Sequence, residues 1–255
     1  IDKNTGEMLK TFNANSGEIM SAVISKDDER VIAAGKDGRV RVWNVPTETL
    51  TQTLSAHTDT VNKVILSHDE SFIVTAGNDE RIIIWDLESG AIKQTLTAHT
   101  DDILDLAISN DDKLLASGGE DKVVRIWDLE KMVVIKTLVG HTARIQQVDI
   151  SQDGKYIVSN DYNDIKLWDL KTGRLLQVLT YHEDAVRSLM FSHDSRRIIS
   201  GSDNKSIFVY HIDNESLLFE LDMGNDWIMG IDITSDDKTI ITGNDSGFIK
   251  FWQLP

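Results

Sequence analysis

An aromatic residue closes a short β-branched run six times along the chain, at almost constant spacing. The runs read Val40-Arg-Val-Trp-Asn44, Ile82-Ile-Ile-Trp-Asp86, Val124-Arg-Ile-Trp-Asp128, Ile165-Lys-Leu-Trp-Asp169, Ile207-Phe-Val-Tyr-His211 and Ile249-Lys-Phe-Trp-Gln253. The closing residues are Trp43, Trp85, Trp127, Trp168, Tyr210 and Trp252, separated by 42, 42, 41, 42 and 42 positions. A period of that length means that each unit is one supersecondary element, which buries its apolar surface only by stacking on its neighbours. The chain is therefore expected to be a repeat array forming one domain over residues 1–255, with units ending near 43, 85, 127, 168, 210 and 252.

Each unit has the same internal order. A loop with a His or a substitute precedes an apolar pattern ending in Ser or Thr, as in Val61, Val64, Leu66 and Ser67. A polar turn follows, such as Lys26-Asp-Asp28, Asn110-Asp-Asp112 or Ser235-Asp-Asp237, then a second run, a Gly/Asn/Asp turn, the aromatic-terminated run and a last run such as Ile92-Lys-Gln-Thr-Leu96. Four short β-rich runs split by Gly, Asn and Asp predict a four-stranded antiparallel sheet per unit. Helices are excluded by the shortness and β-branching of the runs. Runs such as Arg81-Ile-Ile-Ile-Trp85 are apolar at successive positions, which suits a strand packed on both faces. The fold class is all-β.

These features together resemble the WD40-repeat family of β-propellers. The resemblance spans the whole chain and implies sheets stacked as blades, each stapled by a buried tetrad of loop His, Ser or Thr of the second strand, Asp of the next turn, and the Trp. A buried indole N–H needs an acceptor, and the hydroxyl supplies it. Two units match fully: His57, Thr75, Asp79 and Trp85; then His99, Ser117, Asp121 and Trp127. The fourth carries His141, Ser159 and Trp168, with Asp161 one residue out of register. The fifth has His182 and Ser200 but Asn204 and Tyr210; the first has Asn15 and Ala33; the sixth has Gly224 and Ser246. The end units are expected to be looser. Residues 7–12 align with the last strand of a unit and could complete the sheet ending at Trp252, giving a six-bladed ring. The family more often has seven blades, and Ile1 falls where an upstream Trp would stand, so a seven-bladed ring lacking one blade is the other reading.

Four of the seven histidines fall at the period, one per unit, so they do not converge on one ion. The acidic pairs recur at one tight turn and are read as exposed turn residues. Arg41, Arg125, Lys166 and Lys250 recur two places before the aromatic, with their stems expected to pack and their charged heads to snorkel to water. No phosphate loop, nucleophile elbow or calcium-loop spacing occurs. No catalytic or metal residue, cofactor or small-molecule substrate is therefore assigned, and a hydrolase site in a central channel finds no unique set of groups. With 42 acidic against 26 basic residues the net charge is −16, which disfavours nucleic acid and anionic membranes; its first reading is solubility, and the sharper alternative is a basic protein partner. The absence of Cys, of a signal-like start and of a long apolar run fits a cytoplasmic, intracellular protein.

The resemblance further implies that partners dock on the face where the His-bearing loops enter the first strands. Carried over by position, that face holds Glu18 and Met20, Thr60 and Asn62, Asp102 and Leu104, Arg144 and Gln146, Ala185 and Arg187, and Trp227 and Met229. The positions before the turn Asp add Lys36, Asn78, Glu120, Asp203 and Asp245. Trp227 is the one Trp outside the repeat register. Either it anchors a ligand together with Met229, Arg144 and Arg187, or it fills the space left by Gly224. The expected function is a non-catalytic scaffold presenting loops to protein or peptide partners. The alternative is a regulatory or targeting propeller of a larger protein whose enzymatic domain lies outside this chain.

Overall fold

The computed structural model describes residues 10–14, 17–222 and 226–254. The chain divides into two compact units, residues 1–99 and 100–255. Among the described residues all regular structure is β-strand, in six antiparallel sheets.

The first unit holds two sheets. The first sheet is β1 (Ile19–Ile24), β2 (Arg30–Gly35), β3 (Arg39–Asn44) and β4 (Thr49–Ser55); the second is β5 (Val61–Leu66), β6 (Phe72–Gly77), β7 (Arg81–Asp86) and β8 (Ile92–Thr97). The second unit holds four. The third sheet is β9 (Ile103–Ile108), β10 (Leu114–Gly119), β11 (Val123–Asp128) and β12 (Val133–Val139). The fourth is β13 (Gln147–Ile150), β14 (Tyr156–Asn160), β15 (Ile165–Asp169) and β16 (Leu175–Leu179). The fifth is β17 (Val186–Phe191), β18 (Arg197–Ser202), β19 (Ser206–His211) and β20 (Ser216–Asp222). The sixth has three described strands, β21 (Ile228–Ile233), β22 (Thr239–Asn244) and β23 (Ile249–Gln253). Within each sheet every strand pairs with its neighbour in sequence, so each connection inside a sheet is a short hairpin.

The turns explain the repeated Ser-x-Asp pattern. Ser25 Oγ donates to Asp27 Oδ1 (2.5 Å), and the N–H of Glu29 donates to the same oxygen (2.9 Å). The next residue, Asp28, takes a φ of 59°, and Glu70, Asp112, Ser195 and Asp237 repeat that left-handed conformation. Gly154 holds the equivalent position in the fourth sheet at 67°. A bulge recurs at the first five closing aromatics. Val42 pairs with Gln52 but Trp43 with Leu50, so Thr51 is left over on β4, and Lys93, Ile135, Leu176 and Leu218 are left over in the same way.

The core lies between stacked sheets, which is why the central strands are apolar on both faces. In the first unit, Ile32, Ala34, Val40 and Val42 of the first sheet pack against Val61, Val64 and Leu66 of β5. In the second unit, Ile199, Ile207 and Val209 of the fifth sheet pack against Ile228, Ile231 and Ile233 of β21 in the same manner.

Three expectations need correction. Glu7–Leu9 lie outside the described residues, but Lys10–Phe12 form no strand. Lys10 instead reaches the carbonyl oxygens of Val45 and Pro46, and the Phe12 ring lies 6.1 Å from that of Trp43. The basic heads two places before the aromatic do not all reach water. The Arg41 and Lys166 side chains are each 6% exposed, because an Asp on the adjoining turn neutralises the charge inside the fold: Arg41 Nη2 is 2.7 Å from Asp37 and Lys166 Nζ 3.6 Å from Asp164. The turn acids are not uniformly exposed either. Asp237 is buried because it accepts from His193 Nδ1 (2.9 Å) and from the N–H groups of His193 and Asp194 (2.8 Å each), which tie the fifth-sheet turn to the sixth.

Candidate functional site

The polar staples show what the repeated His, hydroxyl and Asp do. In the second sheet, Trp85 Nε1–H donates to Thr75 Oγ1 (2.8 Å), and Thr75 lies 2.8 Å from His57 Nε2. His57 Nδ1 is 2.9 and 3.0 Å from the two oxygens of Asp79, which leaves Nε2 as the acceptor of the Thr75 hydroxyl. Burial of Asp79 opposes its ionisation, but donors from His57, the Thr58 N–H and Arg81 outweigh that and hold its carboxyl far below the usual range. In the fourth sheet, Trp168 Nε1–H donates to Ser159 Oγ (2.8 Å) and Ser159 meets His141 Nε2 at 2.7 Å. Asp161, one residue out of register, does reach the histidine: Oδ2 lies 3.1 Å from His141 Nδ1, though off the line of a hydrogen bond. In the third sheet Trp127 Nε1–H donates to Ser117 (2.8 Å), Asp121 pairs with Arg125 (2.5 Å), and His99 is buried. These groups are spent on one another inside separate sheets.

The degenerate units use substitutes. In the fifth sheet, Ser200 Oγ lies 2.8 Å from His182 Nε2, and Asn204 Oδ1 accepts from Nδ1 at 3.3 Å. Without a carboxylate, burial pushes His182 down to about 4. Tyr210 turns away from Ser200 and donates to Gln177 Oε1 of β16 (2.5 Å). In the first sheet, where Ala33 offers no hydroxyl, Arg41 takes Asp37 in a two-pronged ion pair (2.7 and 3.2 Å). Asn15 and Gly224 lie outside the described residues. In the sixth sheet, Trp252 Nε1–H donates to Thr242 (3.1 Å), and Asp226 stands near the missing His, accepting from Ser246 Oγ and Asn244 Nδ2 (2.7 Å each).

The residues carried over to the docking face meet in pairs. In the first unit, Lys36 Nζ is 3.1 Å from Glu18, and Asn62 Nδ2 donates to Asn78 Oδ1 (2.6 Å). In the second unit, the Glu120 N–H donates to the Asp102 carbonyl (2.8 Å), and Glu120 pairs with Arg144 (3.0 Å). Arg144 Nε also donates to the Gln146 side-chain oxygen (2.9 Å). Arg187 grips Asp203 with Nε (3.0 Å) and Nη2 (2.6 Å). The Trp227 N–H donates to Asp245 Oδ1 (2.9 Å) and its carbonyl accepts from the Asp245 N–H (3.2 Å). That clamp fixes the backbone while the Trp227 side chain stays half exposed (50%), beside Met229 at 57%.

Sequence reasoning missed Tyr162. It stands 54% exposed on the shortened turn of the fourth sheet, and its hydroxyl donates to Asp184 (2.7 Å). The one-residue deletion between Trp127 and Trp168 was its signal. A cavity of about 170 Å³ in the first unit, lined by Arg30, Asn44, Thr51, Gln52 and Glu88, had none. Among the described residues no cluster of His, Asp or Glu is arranged to hold a metal ion.

Two family models match the chain. The model described as WD domain, G-beta repeat matches residues 6–44, 48–86 and 90–128. The model described as NWD2 C-terminal beta-propeller matches residues 115–249, just over half of the chain. No curated protein matches it.

Proposed function

The chain belongs to the WD40-repeat β-propeller family, and from that premise we propose that it is a non-catalytic scaffold that binds protein or peptide segments. Propellers of this family are generally protein-interaction scaffolds. The observation that carries the reading is the half-exposed Trp227 beside exposed Met229, held at the mouth of β21 by the Asp245 clamp. A rigidly based aromatic next to a soft, adaptable thioether is the chemistry of a binding hot spot. The surrounding charge selects the partner. Arg144 and Arg187 are already neutralised by Glu120 and Asp203, so neither is offered to an acidic partner. An apolar side chain flanked by Lys or Arg fits this surface, in keeping with the net charge of −16. The cysteine-free composition supports a cytoplasmic setting for such a partner.

A randomised peptide library displayed on phage and panned against the immobilised chain tests this. Enriched peptides are expected to carry an apolar anchor with basic neighbours. Trp227→Ala, at an exposed position that spares the fold, is expected to weaken them by ~30-fold or more, a loss of about 2 kcal/mol. Enriched peptides that bind Trp227→Ala as tightly as the unaltered chain would defeat the proposal.

A further inference from the structure

The face of the sixth sheet that points away from the fifth is apolar and uncovered. It is built by Ile241 and Gly243 of β22 and by Ile249 and Phe251 of β23, which pair side by side across the two strands. The repeat supplies an internal reference. The same positions in the fifth sheet are Ile199, Gly201, Ile207 and Val209, and there Ile207 and Val209 are 0% exposed. In the sixth sheet Ile249 is 67% exposed and Phe251 69%.

The glycines locate the difference to atomic detail. A Cβ added to Gly201 would sit 2.5 Å from Ile231 Cδ1 and 2.7 Å from Ile228 Cγ2, because the next sheet presses its isoleucines onto that glycine. A Cβ added to Gly243 would meet nothing within 4 Å. The sixth sheet thus carries the receiving half of the repeat's own interface, with its receptor side chains in place and, among the described residues, no knobs in it. Solvated apolar surface of this kind marks an interaction site.

The repeat also defines the knobs. In the fifth-to-sixth interface they are Ile228, Ile231 and Ile233, and in the first-to-second they are Val61, Val64 and Leu66. The equivalent residues of β1 are Ile19, Ala22 and Ile24. All three are exposed, Ile19 at 44% and Ile24 at 55%.

We infer that the uncovered face of β22 and β23 docks the first sheet of a second copy of this chain, with Ile19, Ala22 and Ile24 seated over Gly243, Ile249 and Phe251. The contact repeats an interface the chain already builds within each unit, so its spacing and side-chain shapes are matched in advance. Because socket and knobs are different surfaces, the association is head-to-tail, and it grows unless the copies close on themselves. It uses neither Trp227 nor Met229, so it is separable from the peptide-binding reading.

The test is sedimentation of the purified chain over a wide concentration range. The weight-average mass is expected to rise above the 28.6 kDa of one copy as concentration rises. Two variants block one half each: Ile249→Asp with Phe251→Asp on the socket, and Ile19→Asp with Ile24→Asp on the knobs. These positions are solvent-exposed, so both variants should fold, which the far-ultraviolet spectrum checks. Each alone should remain monomeric, with self-affinity reduced ~100-fold or more. Mixed, they should form one-to-one dimers that grow no further, since one intact socket and one intact knob surface remain. A wild-type chain that stays monomeric at every concentration would overturn the inference. So would a mixture that stays monomeric, or a knob variant that associates as the wild type does.

Discussion

In the second sheet, Trp85, Thr75, His57 and Asp79 form an unbroken chain from indole to carboxylate, with every link between 2.8 and 3.0 Å. In the fifth sheet the same four places hold Tyr210, Ser200, His182 and Asn204, and the chain is broken at its aromatic end and neutral at its acid end. Yet the strands pair alike, and Ile198, Ile199, Ile207 and Val209 are as buried as Ile73, Val74, Ile82 and Ile84. The fold therefore rests on packing between sheets, while the staple determines how strongly a sheet resists polar damage and acid.

The largest difference is expected on removing the central hydroxyl. Thr75→Val leaves both the Trp85 N–H and His57 Nε2 buried without a partner, at a cost of about 3–4 kcal/mol. Ser200→Ala strands only His182 and should cost about 1–2 kcal/mol. Urea unfolding with unchanged slope measures both, and equal losses would contradict the separate roles of the two aromatics.

Acid comes next. The fifth-sheet His182 has its value depressed to about 4 from the ordinary 6.5. The unfolded chain therefore binds the proton first. The stability from burying the neutral ring is full above pH 6.5, falls as pH drops from 6.5 to 4, and amounts to about 2–3 kcal/mol. The second-sheet Asp79 is lowered too, but there the fold favours the charged form: its contribution is present above the ordinary carboxylate range and is lost only at strongly acid pH. Unfolding midpoints of the wild type and His182→Gln between pH 7 and 4 should converge as pH falls. Parallel curves would rule out His182 as the source.

The comparison can also be reversed. Asn204→Asp gives His182 the carboxylate that His57 has, 3.3 Å from Nδ1. The ring should then titrate nearer its ordinary value, recovering about 1–2 kcal/mol of stability at pH 5 and little at pH 8. Nuclear magnetic resonance titration of the His182 ring protons checks the direction.

These contrasts separate what the sequence could disclose from what it could not. The sheet count, the strand order and the intact staples follow from a period and four residue types, because backbone pairing and a buried N–H leave few solutions. Asp161 was legible for the same reason: one displaced carboxylate near a buried His has nowhere else to go. The inward ion pair of Arg41 was not, because an Arg two places before a Trp reads alike whether its head meets Asp37 or water. Nor was the exposure of Ile249 and Phe251, whose strand reads like Ile207 and Val209. Burial belongs to the neighbouring sheet, and no residue encodes its neighbour's presence. Trp227 was found only by its failure to keep the period.

The smallest effect discriminates most finely. Tyr210 Oη donates to Gln177 Oε1 (2.5 Å), a residue of the fourth sheet, whereas Trp85 Nε1 stays within its own sheet. Tyr210→Phe should cost only about 0.5–1 kcal/mol, since Gln177 is half-buried and can turn to water. The informative quantity is its coupling to the hydroxyl. Tyr210→Phe and Ser200→Ala should add within about 0.3 kcal/mol, because the two groups share no bond. Trp85→Phe and Thr75→Val should couple by about 1 kcal/mol or more, because each removes the other's partner. Coupling in the fifth sheet as large as in the second would mean that Tyr210 reaches Ser200 after all, and the two sheets would then differ only in the acid that holds the histidine.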